Sequence, residues 1–230
     1  MHEGSSALAL VLNGDPALYA IVRLSLLVSL TATTIAAAVG LPLGALLALA
    51  SFPGRAFVIV VMNAFMGLPS VVVGLAVFLL LSKSGPLGFL NILFSPKAMI
   101  VAQALLVLPI MVALTRQTVE DLWVEYRDEL TAMGVAPLGR IATLLWDARF
   151  SLTTTLLAGF GRAAAEVGTV MIVGGNIDGF TRTMTTAIAL ETSKGDLPLA
   201  IGLGLVLIGL IVLVNAVVWG VRRVGELPTG

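Results

Sequence analysis

Long apolar runs, most of them without a charge, constrain this chain more than any other feature. A helix needs about 20 apolar residues to cross the hydrocarbon core of a bilayer, with a range of roughly 17–25. The first run spans Leu24 to Ala50 and stops at Ser51-Phe52-Pro53-Gly54-Arg55, breakers followed by a cation. The second, Ala56 to Leu81, stops at Lys83-Ser84-Gly85-Pro86. The third, Ala98 to Leu114, is short but charge-free and ends at Arg116. The fourth, Leu152 to Val173, contains Arg162 and Glu166, and the fifth, Ile201 to Val218, stops at Trp219, Arg222 and Arg223. These runs predict an all-α polytopic membrane protein with about five transmembrane helices.

Composition agrees. Of 230 residues, 58% are hydrophobic and 11% charged, and mean hydropathy is +1.06. Soluble domains carry about 25% charged residues, so this chain cannot clothe a soluble globule. Disorder is excluded as well, because it needs low hydrophobicity and high charge. Thirteen cations balance thirteen acids, which leaves no basic surface for nucleic acid. There is no cysteine, and His2 is the one histidine. The residues therefore suit neither a zinc site nor a histidine-based catalytic triad. The N-terminus has no cation before Arg23, and Asn13-Gly14-Asp15-Pro16 interrupts its apolar stretch. Residues 1–17 read as a polar-tipped lead-in rather than a cleaved signal.

Five crossings put the termini on opposite sides, and the positive-inside rule orients them. With the N-terminus outside and the C-terminus cytoplasmic, the inner segments hold Arg55, Arg116, Arg127, Arg140, Arg149, Arg222 and Arg223. The outer segments hold Arg23, Lys83, Lys97, Arg182 and Lys194. Trp219 beside the terminal arginines reads as an interfacial anchor. Residues 176–200 mix Thr, Gly and charge around a short apolar piece, Met184 to Leu190, which suggests a re-entrant or outer-surface helix.

The loop at about 115–150 holds ten of the 26 charges, four Arg and six acids. Within it Val119, Leu122, Tyr126, Leu130 and Met133 recur at helical steps and form one face. Gly134 interrupts the pattern, and Pro137 suits the first turn of a second helix. Helices that lie on lipid are rich in Lys and Arg, whereas this one is net acidic. A protein partner with a groove therefore suits it better than a lipid surface or the ends of the spans.

At this point the sequence resembles a family. The loop is similar to the EAA loop of permease subunits of ATP-binding-cassette importers, with Asp128 at the acid position, Gly134 at the glycine and Leu144-Leu145 at the apolar position. Glu129 and Leu130 replace the usual alanines, and Trp146-Asp147 replaces the usual Leu-Pro. Gly161-Arg162-Ala163-Ala164-Ala165-Glu166-Val167-Gly168 resembles the Arg-Ala-x-x-Glu-x-Gly signature of the oxyanion branch, which includes molybdate and sulfate permeases. Val173-Gly174-Gly175-Asn176-Ile177, the run from Thr181 to Asp196, and Gly67-Leu68-Pro69-Ser70-Val71-Val72-Val73-Gly74 look most like the tungstate type.

The resemblance implies a type I importer-like core and a single permease domain over 1–230. It assigns coupling to Asp128, Glu129, Leu130, Ala132, Met133 and Gly134. It also implies a homodimer, two cytoplasmic ATPase subunits that bind ATP and Mg, an extracytoplasmic oxyanion-binding protein, and residence in the cytoplasmic membrane. The chain itself has no P-loop, so no cofactor and no catalytic residue is expected in it.

For the pathway the residues offer two groups. Arg162 and Glu166 are four apart, as a pair on one helical face would be. They could form a gate, or an internal ion pair that locks the span. Arg182 stands among Thr181, Thr183, Thr185 and Thr186, where hydroxyls and one cation could line an anion path; a solvated outer loop is the alternative. Ser25, Ser29, Thr33, Asn63 and Gln103 read as intramembrane hydrogen-bonding groups. Gly40, Pro42, Gly44, Gly67, Pro69, Gly74 and Pro109 allow kinks and close packing. Rival functions are a self-contained channel or secondary carrier for a small anion, and a non-transporting scaffold.

Overall fold

The computed structural model describes residues 16–225. Among these every regular element is a helix: α1 Pro16–Leu49, α2 Arg55–Met66, α3 Ser70–Leu81, a 3-10 turn Gly88–Leu90, α4 Pro96–Ala132, α5 Pro137–Asp147, α6 Arg149–Ala164, α7 Gly168–Gly174, α8 Met184–Lys194 and α9 Leu197–Gly225. Most of the lead-in, with His2, lies outside the described residues, as do the side chains of Arg222 and Arg223.

Three helices, α1, α4 and α9, are long and apolar enough to cross a membrane. Two pairs, α2 with α3 and α6 with α7, pass the same test together but are broken at 67–69 and 165–167; counted as one crossing each, they bring the total to five. The second and fourth apolar runs are thus each split into two helices. In the first break Pro69 has no N–H to continue a helical ladder. In the second, the buried carboxylate of Glu166 takes a backbone N–H of the following helix.

The long helices overrun their expected limits. Helix α1 starts at Pro16 and so contains Arg23. Helix α4 runs unbroken for 37 residues, through Arg116 and on to Ala132. At 1.5 Å per residue it is roughly 55 Å long, against a hydrocarbon core of about 30 Å. The first half of the charged stretch read as a loop is a helical extension of the third span.

The chain divides into two compact units. The first takes the N-terminal part up to Thr31, residues 69–103 and residues from Ala163 onward. Val28, Val77, Leu81, Ala98, Met99, Ala102, Val170 and Val173 form its core, and a smaller cluster joins Leu18, Ala187 and Leu203. Helix α3 packs on α7, and α9 on α8. The first of these contacts is backbone-close: a Cβ at Gly74 would lie 2.9 Å from the Cα of Thr169.

The second unit takes residues 32–68 and 104–162. Its core joins Ala45 and Ala48 of α1 to Val119 and Leu130 of α4 and Leu144 of α5. Gly44 lets α1 and α4 meet, since a Cβ there would lie 2.6 Å from the Val112 carbonyl oxygen.

Candidate functional site

In the second unit, α4 ends in a sharp corner. Gly134 has φ +67°, a left-handed conformation that glycine adopts without steric cost. Its N–H donates to Thr131 O at 3.0 Å, and Val135 N–H donates to Leu130 O at 3.1 Å. This is the Schellman pattern, which satisfies the last carbonyls of a helix. Leu130 and Val135 pack in the same cluster, supplying the apolar contact that accompanies such a turn. Pro137 then opens α5 from its first turn, where a missing N–H costs nothing. Arg140 closes the corner: its Nε donates to Val135 O at 2.8 Å, and its guanidinium lies 5.5 Å from the centre of the Trp123 ring.

The apolar stripe of α4 is consumed inside this unit. Val119 and Leu130 are fully or nearly fully buried and Leu122 and Tyr126 half-buried, all against α1 and α5. The expectation that the stripe itself enters a partner's groove is therefore corrected, because the chain's own residues cover it. Met133 leaves the stripe, since it lies past the last helical residue and is exposed. What remains exposed is a different set of residues. Val124 is 83% exposed, Leu138 81%, Met133 76% and Trp146 68%, and Asp121, Glu125, Asp128, Glu129 and Ala132 of α4 are exposed as well. Among the residues assigned to coupling, Leu130 is buried and serves as an anchor; Asp128, Glu129, Ala132, Met133 and Gly134 are exposed. Crowding of like charge is visible electrostatically. Glu125 foremost, then Asp147, raises the Tyr126 phenol above its ordinary 10.0, with partial burial and Glu129 adding to the effect.

The base of the corner is tied to α1 and α2. Arg55, first residue of α2, donates from Nε to Leu47 O at 2.9 Å and from Nη2 to Ala48 O at 3.3 Å. It thereby satisfies orphan carbonyls at the C-terminus of α1, where a cation is favoured. Glu120 of α4 accepts from both Arg55 and Arg116, one oxygen to each. One carboxylate thus joins the charged extension of α4 to the turn between α1 and α2.

In the first unit the polar groups gather around the break before α7. Helix α6 ends at Ala164, so Glu166 lies two residues beyond it. Glu166 is only 2% exposed. Its Oε1 accepts from Thr169 N–H at 3.0 Å, a carboxylate at the positive end of α7. Its carbonyl accepts from Thr185 Oγ1 at 2.7 Å. Gln103 donates from Nε2 to Ala163 O at 3.1 Å, and its buried Oε1 has no hydrogen-bond partner among the described residues. A cavity of about 10 Å³ lies among Ser25, Ser29, Gln103, Glu166, Thr183 and Thr185, roughly the space of one water molecule. Ser25 Oγ accepts from Met184 N–H at 2.8 Å, so it joins α1 to α8 as an intramembrane hydroxyl is expected to. Asn63 is exposed on α2.

The threonine cluster is not a solvated loop. Thr181, Thr183, Thr185 and Thr186 are buried. Thr181 Oγ1 donates to Gly174 O at 2.6 Å and accepts from Ile177 N–H at 2.9 Å. Thr183 and Thr186 form a reciprocal capping box at the start of α8. Arg182 stays half-buried, paired with Asp178 at 2.8 Å, beside a cavity of about 120 Å³ lined also by Ala20, Leu24 and Phe180.

No family model matches the chain. Individual relatives do. A tungstate uptake system permease protein, TupB, from Peptoclostridium acidaminophilum is 42% identical over 218 residues, 95% of this chain and 96% of that protein. The chain belongs to the oxyanion branch of the ABC transporter permeases. A probable anion ABC transporter permease protein of Haloferax volcanii is 43% identical over 204 residues, 86% of this chain and 88% of its own. The TupB of Campylobacter jejuni is 36% identical over 217 residues, 94% and 91% of the two chains.

For this permease, a membrane protein of several apolar helices, sequence reasoning missed the Arg55–Glu120–Arg116 group. The signal available was Glu120 one helical turn beyond Arg116, together with a cation directly after a Pro-Gly turn. Nothing in the sequence brings residue 55 to residue 120.

Proposed function

We propose that this permease is the membrane-spanning subunit of an ATP-driven importer for an oxyanion, tungstate first among the candidates. It assembles with a second copy of itself and with two cytoplasmic ATPase subunits, which bind ATP and Mg, and it receives the anion from an extracytoplasmic binding protein. Its N-terminus is outside and its C-terminus in the cytosol, the orientation favoured by the cation count.

The α4–Gly134–α5 corner carries this reading. A helix long and apolar enough to span runs on to Ala132 and ends in the Gly134 turn, near which Met133, Leu138 and Trp146 are exposed; we take them, with the exposed acids of α4, as one face. Large apolar side chains on such an exposed face mark a protein contact. The acids suit basic residues at the rim of the ATPase groove. Force applied there reaches α1 and α2 through Glu120. At the other site, Glu166 and the threonines brace a break in a span, where irregular backbone can exist in a membrane if protein covers it. Arg162 and Arg182 are the cations we assign to the anion's path.

Co-purification with the ATPase tests the coupling. Asp128→Arg and Gly134→Pro are expected to abolish it while the permease remains inserted as a dimer. Wild-type recovery of the ATPase with both variants would contradict the role. Uptake by the whole complex with tungstate, molybdate and sulfate in competition identifies the anion. Transport by the permease alone in liposomes would favour a self-contained carrier instead.

A further inference from the structure

The second unit carries an apolar groove of about 310 Å³ that the coupling role does not use. Leu43 and Leu47 of α1, Phe52 of the turn, Val58 and Met62 of α2 and Val112 of α4 line it. It lies in the size range of ligand clefts, roughly 300–1,000 Å³. All three helical walls lead to one charged end. Leu47 itself supplies the carbonyl that takes Arg55 Nε. Val58 is one helical turn from Arg55, and Val112 one turn from Arg116.

At that end two guanidiniums share one carboxylate, Glu120, which among the described residues is the only acid ion-paired with either. The group is left with one excess positive charge, and among the described residues Arg116 Nε has no acceptor. Both arginines keep part of their side chains exposed, 31% for Arg55 and 17% for Arg116.

We infer that this groove holds an acyl chain of an anionic phospholipid, with the lipid phosphate on Arg55 and Arg116. A polar ligand has nothing to bond along the apolar walls. A helix from a second copy, about 10–12 Å across with its side chains, would lie over the groove rather than in it. Within a bilayer an apolar wall gives a lipid chain no hydrophobic advantage over bulk lipid. Selection therefore rests on the head group, and guanidinium forks match phosphate oxygens in pairs. A lipid seated there would fill the wedge between α1, α2 and α4 at the base of the charged extension.

Native mass spectrometry of the purified permease, with phosphatidylglycerol and phosphatidylcholine of equal chain length, tests this. The wild type should retain phosphatidylglycerol about fivefold better, the effect of one basic residue near anionic lipid. Arg116→Gln should abolish the preference but keep basal retention of both lipids. Met62→Trp, which fills the groove, should lower retention of both; Leu43→Trp repeats the test from another wall if Met62→Trp misfolds. Equal retention of the two lipids by the wild type would overturn the assignment. So would a disulfide-linked dimer formed in membranes by Val58→Cys, which is possible to read because the chain has no native cysteine; a second copy would then occupy the face.

Discussion

Glu166 is the residue on which the first unit turns. Removing its carboxylate leaves the buried Thr169 N–H without an acceptor, a loss of roughly 1–3 kcal/mol. Thermal unfolding of purified Glu166→Ala should report that loss, and Glu166→Gln, which keeps an acceptor, should recover most of it. Tyr126 offers a second, independent readout. Its phenol is held above the ordinary 10.0, chiefly by Glu125. The folded chain therefore holds this proton more tightly than the unfolded one. That contribution to stability is complete below pH 10.0 and is lost as pH rises through the raised value. In a Tyr19→Phe background Tyr126 is the sole tyrosine. There Glu125→Gln should move the tyrosinate absorbance titration to lower pH; an unmoved curve would refute the assignment to Glu125. That Glu166 would be buried and structurally engaged was legible in the sequence, because a charge in an apolar run must find partners. Its bond to Thr169 was not, since helical spacing assumes a helix that continues, and this one stops two residues earlier.

At the scale of elements, the corner between α4 and α5 was the most readable part of the chain. Gly134 and Pro137 have strong local conformational preferences, and both stand where those preferences require. The face formed by Val119, Leu122, Tyr126 and Leu130 was equally visible, but its destination was not. An amphipathic stripe shows that something covers it, and here the cover is α1 and α5 of the same unit. The continuity of α4 was hidden for a related reason: the charge density that ends an apolar run does not end a helix, because Glu, Arg and Gln are good helix formers. The Glu120 group makes this element testable. Glu120→Gln leaves two neighbouring guanidiniums without their shared carboxylate. It should lower unfolding stability by roughly 1.5–3 kcal/mol, the span for hydrogen bonds to charged groups. The double variant Glu120→Gln with Arg116→Gln should cost less than the sum of the single variants. Additive losses by chemical denaturation would show that the two residues are not coupled.

For the whole molecule, hydropathy located every apolar run that became a helix or a helical pair, because bilayer thickness dictates their length. It did not reveal that two of the runs are broken, since Gly67-Leu68-Pro69 and Ala165-Glu166-Val167 are too short to lower a window average. Nor could it show the two compact units, which assemble from residues far apart in the chain. The account's central claim concerns sidedness: the exposed corner after α4 faces the cytosol, where an ATPase can grip it. Met133→Cys places one thiol on that corner in a chain otherwise free of cysteine. With a membrane-impermeant maleimide, the account predicts no labelling in intact cells and full labelling after permeabilisation. Labelling of intact cells would put the corner outside and contradict the claim.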